Sequence, residues 1–187
     1  MKRVIVTGGA GFIGSNVVNE LKNKGYEVCV IDNLSKKESK LRNDIKFIKL
    51  DLTREKETIK AFKDYECVIH LAAKIGGIGY FHKYPATILS ENNKINSSVF
   101  SACVKNNIKR IIYISSSMVF ESTKRFPSKE EDVYNIPPPK TAYGFSKLSG
   151  EYYCKAFYEE FGLKYTIIRP FNAYGINEYP GEEVGYA

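Results

Sequence analysis

Two hydrophobic patterns alternate along the chain. Short runs of consecutive apolar residues are separated by longer stretches in which apolar residues recur every three or four positions, as Ile13, Val17 and Leu21 do. A short apolar run is typical of a buried strand, and the longer spacing is typical of a helix with one buried face. The helical patterns lie near residues 12–24, 54–64, 87–107 and 142–161. The runs predict six strands: Val4–Thr7, Val28–Ile31, Phe47–Leu50, Val68–Leu71, Ile111–Ser115 and Tyr165–Ile168.

Regular alternation of strands and helices predicts an α/β fold, a doubly wound parallel sheet with helices on both faces. The expected strand order is 3-2-1-4-5-6, with ligands at the carboxyl ends of the strands. Two turn-rich segments, Lys74–Pro85 and Ser122–Lys140, interrupt the alternation. Loops of this length in a compact domain are usually functional or mobile.

A glycine cluster separates the first strand from the first helix. Gly9, Gly11 and Gly14 satisfy G-x-G-x-x-G, and Gly8, Gly11 and Gly14 also satisfy the wider G-x-x-G-x-x-G. Such glycines allow a tight turn and a close approach of the backbone to a pyrophosphate, and the helix N-terminus favours phosphate. A glycine turn before a helix can also be ordinary loop chemistry. Because a second strand and an acid follow in register, the arrangement predicts a dinucleotide site.

Asp32 ends the second predicted strand and bears on the choice of cofactor. A carboxylate there can accept hydrogen bonds from the ribose hydroxyls of adenosine, and it would repel a 2′-phosphate. Asp32 therefore predicts NAD rather than NADP. Two alternatives remain open: Asp32 could be a solvated turn acid, and Lys36 and Lys37 just beyond it could tolerate a phosphate.

Length and composition narrow the class of protein. The 187 residues fit one domain, contain no apolar run long enough to span a membrane, and enter a strand directly from Met1 rather than a secretion signal. The four dispersed cysteines and two histidines show no spacing typical of metal ligands, so we expect no metal site. We also expect the thiols to be reduced, as they are in a cytoplasmic protein. The net charge of +7 is spread along the chain. It favours a solvated basic surface over a nucleic-acid partner.

Candidate catalytic residues follow the fifth strand. Ser115-Ser116-Ser117 stands at its end, and Tyr143 and Lys147 are four positions apart in the next helical pattern. That spacing places both side chains on one helical face. Tyrosine is a poor base because its ordinary pKa is about 10. An adjacent ammonium and a nicotinamide cation would favour the phenolate, while a serine hydroxyl orients a substrate oxygen.

With these motifs the chain resembles the extended short-chain dehydrogenase/reductase family, the NAD-dependent nucleotide-sugar epimerases and dehydratases. The resemblance runs from Lys2 to about Gly175. It also rests on Asp51-Leu52, His70-Leu71-Ala72-Ala73, Asn92 and Arg169-Pro170-Phe171-Asn172-Ala173-Tyr174-Gly175. It implies a Rossmann-like fold, NAD as cofactor, and a GDP- or UDP-linked sugar as substrate.

The resemblance also implies a role for each site residue. Ser116, Tyr143 and Lys147 would be catalytic, with Ser116 preferred over its neighbours because the family pattern S-[ST]-x-x-V-[YF] aligns on Val119 and Phe120. Asp51 and Leu52 would border the adenine, Ala72 and Lys147 the nicotinamide ribose, and Asn172 the substrate diphosphate. Lys74 and Ser117 would also contact substrate. The implied cofactor site comprises Gly8, Gly11, Phe12, Ile13, Gly14, Asp32, Asn33, Asp51, Leu52, Leu71, Ala72, Ala73, Asn92, Tyr143, Lys147 and Pro170.

Narrower features resemble one branch of the family. The segment from Ala72 to Ile78, then Tyr84-Pro85-Ala86, is similar to GDP-fucose synthase and GDP-mannose 3,5-epimerase. Both place a cysteine acid/base where this chain has Met118, and the 4,6-dehydratases place Asp and Glu at Ser117 and Met118. Methionine cannot transfer a proton, so we expect 4-epimerisation, which needs only Tyr143 and the cofactor. The alternatives are 4-keto-sugar reduction, 3,5-epimerisation, or a non-catalytic NAD-binding module.

The resemblance further predicts domains and assembly. Residues 1–175 would form the NAD(P)-binding domain, and residues 176–187 would begin a linker to a C-terminal substrate domain that this sequence lacks. We expect a homodimer through the helices near 87–107 and 142–161, which carry two apolar sets. The two sets are Ile95, Val99 and Cys103, and Tyr152, Tyr153, Ala156 and Phe157. These sets could instead cover the sheet.

The two histidines have different expected positions. We expect His70 to be packed or hydrogen-bonded, whereas His82 could line the sugar pocket.

Overall fold

A six-stranded parallel sheet organises the molecule. The computed structural model describes residues 2–36, 43–76, 78–175 and 178. Lys37, Gly77 and the predicted linker 176–187, apart from Glu178, lie outside the described residues. The strands are β1 (Arg3–Thr7), β2 (Glu27–Asp32), β3 (Lys46–Lys49), β4 (Cys67–His70), β5 (Arg110–Ile114) and β6 (Lys164–Ile168). Their order is β3-β2-β1-β4-β5-β6, as the sequence predicted.

The connecting helices cover both faces of the sheet. They are α1 (Phe12–Asn23), α2 (Glu55–Ala61), α3 (Ile78–Lys83), α4 (Pro85–Lys105) and α5 (Ala142–Phe161), and two short 3-10 helices span Ser117–Phe120 and Glu130–Tyr134. The predicted positions of α1, α2, α4 and α5 are confirmed to within three residues. Helix α3 lies inside the segment for which the sequence predicted a loop.

Alternation of side chains along each strand builds two cores. Ile5 of β1 faces the layer of α2, α4 and α5, where it joins Phe100 and Cys154. Its neighbours Val4 and Val6 point the other way, toward Val18 of α1. The Rossmann-like doubly wound arrangement predicted from the sequence is therefore confirmed.

Register brings the carboxyl ends of the central strands together. Thr7 is paired with Ile31 on β2 and with His70 on β4. The N–H of Gly8 donates to the carbonyl of Ile31 over 2.8 Å, and the N–H of Leu71 donates to the carbonyl of Thr7 over 3.1 Å. The chain therefore leaves β1, β2 and β4 side by side, at the edge where Rossmann-like sheets bind their ligands.

Helices α4 and α5 pack against each other on the sheet. The ring of Phe100 lies 5.5 Å from that of Tyr153 and 5.3 Å from that of Phe157, centroid to centroid. Val99 and Cys103, predicted as part of a dimer surface, are fully buried in this layer. They cover the sheet, which is the alternative that the sequence left open. Tyr152 is 60% exposed and remains available to a partner.

Candidate active site

A cavity of about 910 Å³ opens at the carboxyl edge of the sheet. This volume lies in the range of pockets that hold cofactors and substrates. Of the site residues predicted from the sequence, all except Asn92 line it: Gly8, Gly11, Phe12, Ile13, Gly14, Asp32, Asn33, Asp51, Leu52, Leu71, Ala72, Ala73, Lys74, Ser116, Ser117, Tyr143, Lys147, Pro170 and Asn172. The structure thus gathers in one place residues that the sequence spreads over more than 160 positions.

The glycine turn forms one wall of the cavity. Gly8 has φ +69°, and a Cβ on it would lie 2.7 Å from the backbone nitrogen of Ala72, two residues after β4. A Cβ on Gly14 would lie only 2.2 Å from the carbonyl oxygen of Gly8. Glycine is therefore required for the turn to close beneath α1. The first N–H groups of a helix have no intrahelical partner, and here Phe12 and Ile13 present them beside the cavity.

Two carboxylates border the adjoining part of the cavity. Asp32 accepts hydrogen bonds from the N–H of Ala10 over 3.2 Å and of Leu34 over 2.9 Å, which ties the end of β2 to the glycine turn. Asp51 accepts from the N–H and the hydroxyl of Thr53. The backbone hydrogen bond from Thr53 holds the pKa of Asp51 below its usual value. Both side chains are well placed to accept hydrogen bonds from a ligand.

Tyr143 and Lys147 enter the cavity from the first turns of α5. The hydroxyl of Thr141 caps this helix by accepting from the N–H of Gly144 over 3.1 Å. Lys147 Nζ donates to the carbonyl of Ile114 over 2.8 Å and lies 5.9 Å from the centroid of the Tyr143 ring. Ser116 follows β5, and its hydroxyl lies close enough to the Tyr143 side chain to act on the pKa of the phenol. The predicted catalytic group is therefore assembled in space.

Burial governs the charge states of this group. Tyr143 is 7% exposed and Lys147 5% exposed. Burial raises the pKa of Tyr143 to about 12, while the nearby hydroxyl of Ser116 acts in the opposite direction. Burial also lowers the pKa of Lys147 to about 8. Burial therefore favours the neutral phenol of Tyr143, opposite to the direction in which the sequence predicted that an adjacent ammonium and a nicotinamide cation would act.

A buried ion pair holds the segments behind the site. Arg169 follows β6, and its Nε and Nη2 each donate to the Glu151 carboxylate over 2.8 Å. The hydroxyl of Ser115 donates to the same carboxylate over 2.6 Å, and Arg169 Nη1 donates to the carbonyl of Glu130 over 3.0 Å. The pair therefore joins the chain next to Ser116, helix α5 and the start of the Arg169–Gly175 segment. Arg169 belongs to a motif that the sequence analysis noted, whereas no pattern in the sequence pointed to Glu151.

Asn92 lies beside the cavity rather than on its wall. Its carboxamide accepts from the N–H of Lys74 over 2.6 Å and donates to the Lys74 carbonyl over 3.1 Å. It also donates to the hydroxyl of Ser146 over 3.0 Å. Asn92 thus fixes the segment after β4 against α5. A direct contact of Asn92 with the cofactor stays a prediction.

The two histidines have different surroundings. His70 is fully buried, with Nδ1 2.7 Å from the hydroxyl of Thr7 and Nε2 3.3 Å from the Asn96 carboxamide oxygen. Burial is the larger cause that lowers its pKa to about 3, and the nearby charge of Lys147 acts in the same direction. The packed, hydrogen-bonded histidine predicted from the sequence is confirmed. His82 is exposed on α3 and is not among the described residues that line the cavity.

Phe81 is a site residue that the sequence did not single out. It lines the cavity, and its ring is stacked on that of Tyr143, 4.9 Å between centroids and 4° between planes. From the sequence, Tyr80, Phe81 and Tyr84 could be only a hydrophobic cluster in a loop. The one feature of the sequence that could have pointed to Phe81 is its place among three aromatic residues between the fourth strand and the next helix, in a turn-rich segment of a length that is usually functional or mobile.

Comparison with known proteins identifies the family. A profile of the NAD dependent epimerase/dehydratase family matches residues 4–185. The chain belongs to this family. NAD is the family's cofactor, and the site has the features that a dinucleotide requires: a glycine turn that no Cβ could enter, helix N–H groups beside the cavity, and the carboxylate of Asp32.

Similar proteins are longer than this chain. GDP-mannose 3,5-epimerase 1 of Oryza sativa subsp. indica is 31% identical over 180 residues, which cover 92% of this chain and 47% of the relative. The structure of UDP-glucose 4-epimerase from Thermotoga maritima with UDP-glucose has 35% identity and a TM-score of 0.89, covering 98% and 60%. UDP-glucose 4-epimerase from Brucella ovis in complex with NAD has 30% identity and a TM-score of 0.84, covering 92% and 52%. The chain spans about half the length of the curated relatives it matches.

The part of the chain that the structure describes contains neither a metal-binding cluster nor a membrane-spanning helix. Within residues 2–36, 43–76, 78–175 and 178, no three His, Cys, Asp or Glu side chains cluster so that they could hold a metal ion. Among the helices of the described residues, none has the length and apolar character needed to cross a membrane.

Proposed function

We propose that this chain is the NAD-binding and catalytic part of a nucleotide-sugar epimerase that transiently oxidises a sugar hydroxyl, at C4. The observation that carries the proposal is the position of Tyr143. It lies against Ser116 and Lys147, in the same cavity that the glycine turn and Asp32 border. A phenol in that place is useful only to a reaction that moves a proton beside the cofactor, which argues against a non-catalytic NAD-binding module.

The cofactor would lie along the carboxyl edge of the sheet. Its pyrophosphate would lie over Gly11–Ile13, where helix N–H groups and the helix dipole favour negative charge. Its adenosine ribose would bind Asp32, with Asp51 and Leu52 beside the adenine. The nicotinamide ribose would contact Lys147, near Tyr143. These placements follow the family resemblance, and they are supported by the position of all these residues on the wall of one cavity.

The proton chemistry belongs to the chain's own residues. Tyr143, as phenolate, takes the proton from a sugar hydroxyl that Ser116 orients, and returns it when the ketone is reduced. Lys147 remains an ammonium below its pKa of about 8 and is fixed by the carbonyl of Ile114. NAD held by the glycine turn, Asp32 and Lys147 would supply a positive charge beside the phenol and reversible hydride exchange with the sugar carbon. General acid–base help of this kind contributes about 10²–10⁴-fold in rate.

Met118 separates the proposal from related reactions. It lines the cavity immediately after Ser117. Epimerisation at C3 and C5 needs a second proton-transferring side chain, which methionine cannot provide. GDP-mannose 3,5-epimerase and GDP-L-fucose synthase nevertheless stand among the relatives. We therefore keep 3,5-epimerisation and 4-keto-sugar reduction as the second candidates.

The remaining features of the proposal concern the whole protein. The substrate would be a GDP- or UDP-linked sugar, with Lys74, Ser117 and Asn172 near its diphosphate and sugar. Residues 1–175 would form the cofactor domain, with a substrate domain downstream.

The protein would form a homodimer, using the exposed outer face of α5 around Tyr152. The four cysteines are unpaired, which fits the cytoplasm.

Cofactor choice tests the first half of the proposal. Calorimetric titration of the chain should show tighter binding of NAD than of NADP, because the Asp32 carboxylate repels a 2′-phosphate. Asp32→Asn removes that charge and should abolish the preference, whereas Asp64→Asn, at an exposed turn remote from the cavity, should leave it unchanged. Equal or tighter binding of NADP to the unmodified chain would refute the assignment.

Two substitutions test the second half. Tyr143→Phe should nearly abolish turnover of the complete gene product and leave NAD binding intact, since only the hydroxyl is lost. Lys147→Ala should weaken both, because Lys147 borders both the phenol and the proposed nicotinamide ribose site. Full activity in Tyr143→Phe would overturn the proposed chemistry.

A further inference from the structure

Phe81 is the only described aromatic side chain whose ring stacks on that of Tyr143. The two rings are nearly parallel, with 4° between their planes and 4.9 Å between their centroids. Offset parallel rings at this distance form a favourable pair. Both side chains line the same cavity, and Phe81 comes from a different element, α3.

The segment before α3 and the turn after it are both hydrogen-bonded to α4. On the N-terminal side of α3, Asn92 holds the backbone of Lys74 through two hydrogen bonds. On its C-terminal side, the N–H of Tyr84 donates to the carbonyl of Tyr80 over 3.0 Å, and the Tyr84 carbonyl accepts from Ile88 of α4. The ring of Phe81 is therefore presented to Tyr143 by a short helix fixed to α4, rather than by a free loop.

We propose that Phe81 is a positioning residue for Tyr143: its ring holds the phenol with the hydroxyl toward Ser116 and shields it from water. The inference deepens the proposed function and rests on it for the role of Tyr143 as the base. Its physical basis is the stack itself. A planar neighbour restricts rotation of the phenol about its long axis, and it replaces water on one face of the ring.

Shielding has a chemical consequence. A desolvated phenol holds its proton, and burial raises the pKa of Tyr143 to about 12. The stacked ring of Phe81 contributes to this desolvation, so removal of the phenol proton would require a positive charge beside the phenol. Without that charge the base stays neutral, and solvent does not take part in the proton transfer.

The groups that face Tyr143 come from three elements. Helix α5 supplies Lys147, whose Nζ is 5.9 Å from the ring centroid. Strand β5 and the segment after it supply the phenol of Tyr113 and the hydroxyl of Ser116. Helix α3 supplies Phe81, which carries no charge. Replacing Phe81 thus changes solvation and geometry around the phenol without adding or removing a charge.

The test compares three substitutions on α3. Phe81→Leu keeps an apolar side chain but loses the planar stack, Phe81→Tyr restores a ring, and Tyr80→Leu is the matched control because Tyr80 contacts Tyr84 instead. Each protein carries tyrosine isotope-labelled at Cζ, whose resonance shifts on ionisation, and Tyr143→Phe assigns the signal. At about pH 10.5, a phenol with pKa near 12 is only about 3% ionised.

We expect Phe81→Leu to bring the pKa of Tyr143 down from about 12 toward its ordinary value of 10.0. Phe81→Tyr and Tyr80→Leu should leave it where it is. In the complete gene product, kcat should fall about tenfold in Phe81→Leu, as loss of one aromatic pair implies, with NAD affinity unchanged and rescue by Phe81→Tyr. The NAD titration also serves to check that each variant folds.

An unshifted pKa in Phe81→Leu, or an equal shift in Tyr80→Leu, would overturn the proposal. The resonance measurement needs no turnover, so it tests the positioning role of Phe81 separately from the proposed epimerase function. If Phe81→Leu shifts the pKa but Tyr143→Phe retains full activity, the proposed function fails, and with it the catalytic purpose assigned to Phe81.

Discussion

The buried pair of Glu151 and Arg169 offers a quantitative test of how the site is held. Their side chains are 1% and 12% exposed, and the pair is bidentate. Glu151→Ala leaves the Arg169 guanidinium buried without its counter-charge and takes an acceptor from the hydroxyl of Ser115. Removing one partner of such a pair costs about 3–5 kcal/mol of unfolding free energy.

That cost should be plain in thermal unfolding. In a domain of 150–250 residues, a loss of 1 kcal/mol lowers Tm by about 2–4 °C, so Glu151→Ala should lower it by about 6–20 °C. The matched control is Glu20→Ala, which removes an exposed pair with Lys24 on α1. Exposed pairs of this kind contribute at most about 0.5 kcal/mol, so its Tm should change by no more than about 2 °C.

A double substitution distinguishes the loss of the ion-pair attraction from the cost of leaving the Arg169 guanidinium buried without its counter-charge. Glu151→Leu combined with Arg169→Met removes both charges, and replacement of a whole buried pair by apolar side chains is often close to neutral. The double variant should therefore be more stable than Glu151→Ala, as judged by circular dichroism during heating and in urea. A Glu151→Ala variant no less stable than Glu20→Ala, or a double variant less stable than Glu151→Ala, would refute the reasoning.

Three further outcomes follow from the geometry of the site. Gly14→Ala places a methyl 2.2 Å from the carbonyl oxygen of Gly8 and should abolish measurable NAD binding by calorimetry, whereas Gly79→Ala, with no atom within 4 Å of its methyl, should not. The pKa of Lys147 is lowered from 10.5 to about 8, so the folded state releases its proton first and stability rises between those pH values. Over that pH window the unfolding free energy of the wild type should rise by about 3 kcal/mol relative to that of Lys147→Met. A difference between the two proteins that does not change with pH would refute the lowered pKa of Lys147. The pKa of His70 is lowered from 6.5 to about 3, so its contribution to stability is lost as pH falls through that window. His70→Gln should reduce the loss of unfolding free energy between pH 7 and pH 4 by about 3 kcal/mol, and an equal loss in both proteins would contradict the burial argument.

Hydrophobic spacing sufficed to predict the sheet. Strands β1 and β2 are buried on both faces, so Val4–Val6 and Val28–Ile31 stand out as unbroken apolar runs. Alternation with helices then restricts the topology, because parallel crossovers are right-handed and short. The glycine turn, the acid at the end of β2 and the Tyr143–Lys147 spacing likewise depend on local sequence, which explains why all of them reach the cavity.

Features that depend on tertiary contacts could not be predicted in this way. Helix α3 has only six residues and includes Gly79, so its intrinsic helix propensity is low. It is stabilised by contacts distant in sequence, above all the stack of Phe81 on Tyr143. The raised pKa of Tyr143 is a similar case, since desolvation depends on which segments cover the phenol. The motif showed which residues meet, and the packing around them decides their charge.

The most direct test of the central claim is the fate of the hydrogen at C4. UDP-glucose carrying deuterium at C4 would be incubated with the complete gene product and NAD, and the product examined by NMR. Our account predicts the C4 epimer with deuterium retained at C4 and no net accumulation of NADH, and it predicts no product in Tyr143→Phe. An unchanged rate in Tyr143→Phe, loss of the deuterium to solvent, or stoichiometric release of NADH would contradict it.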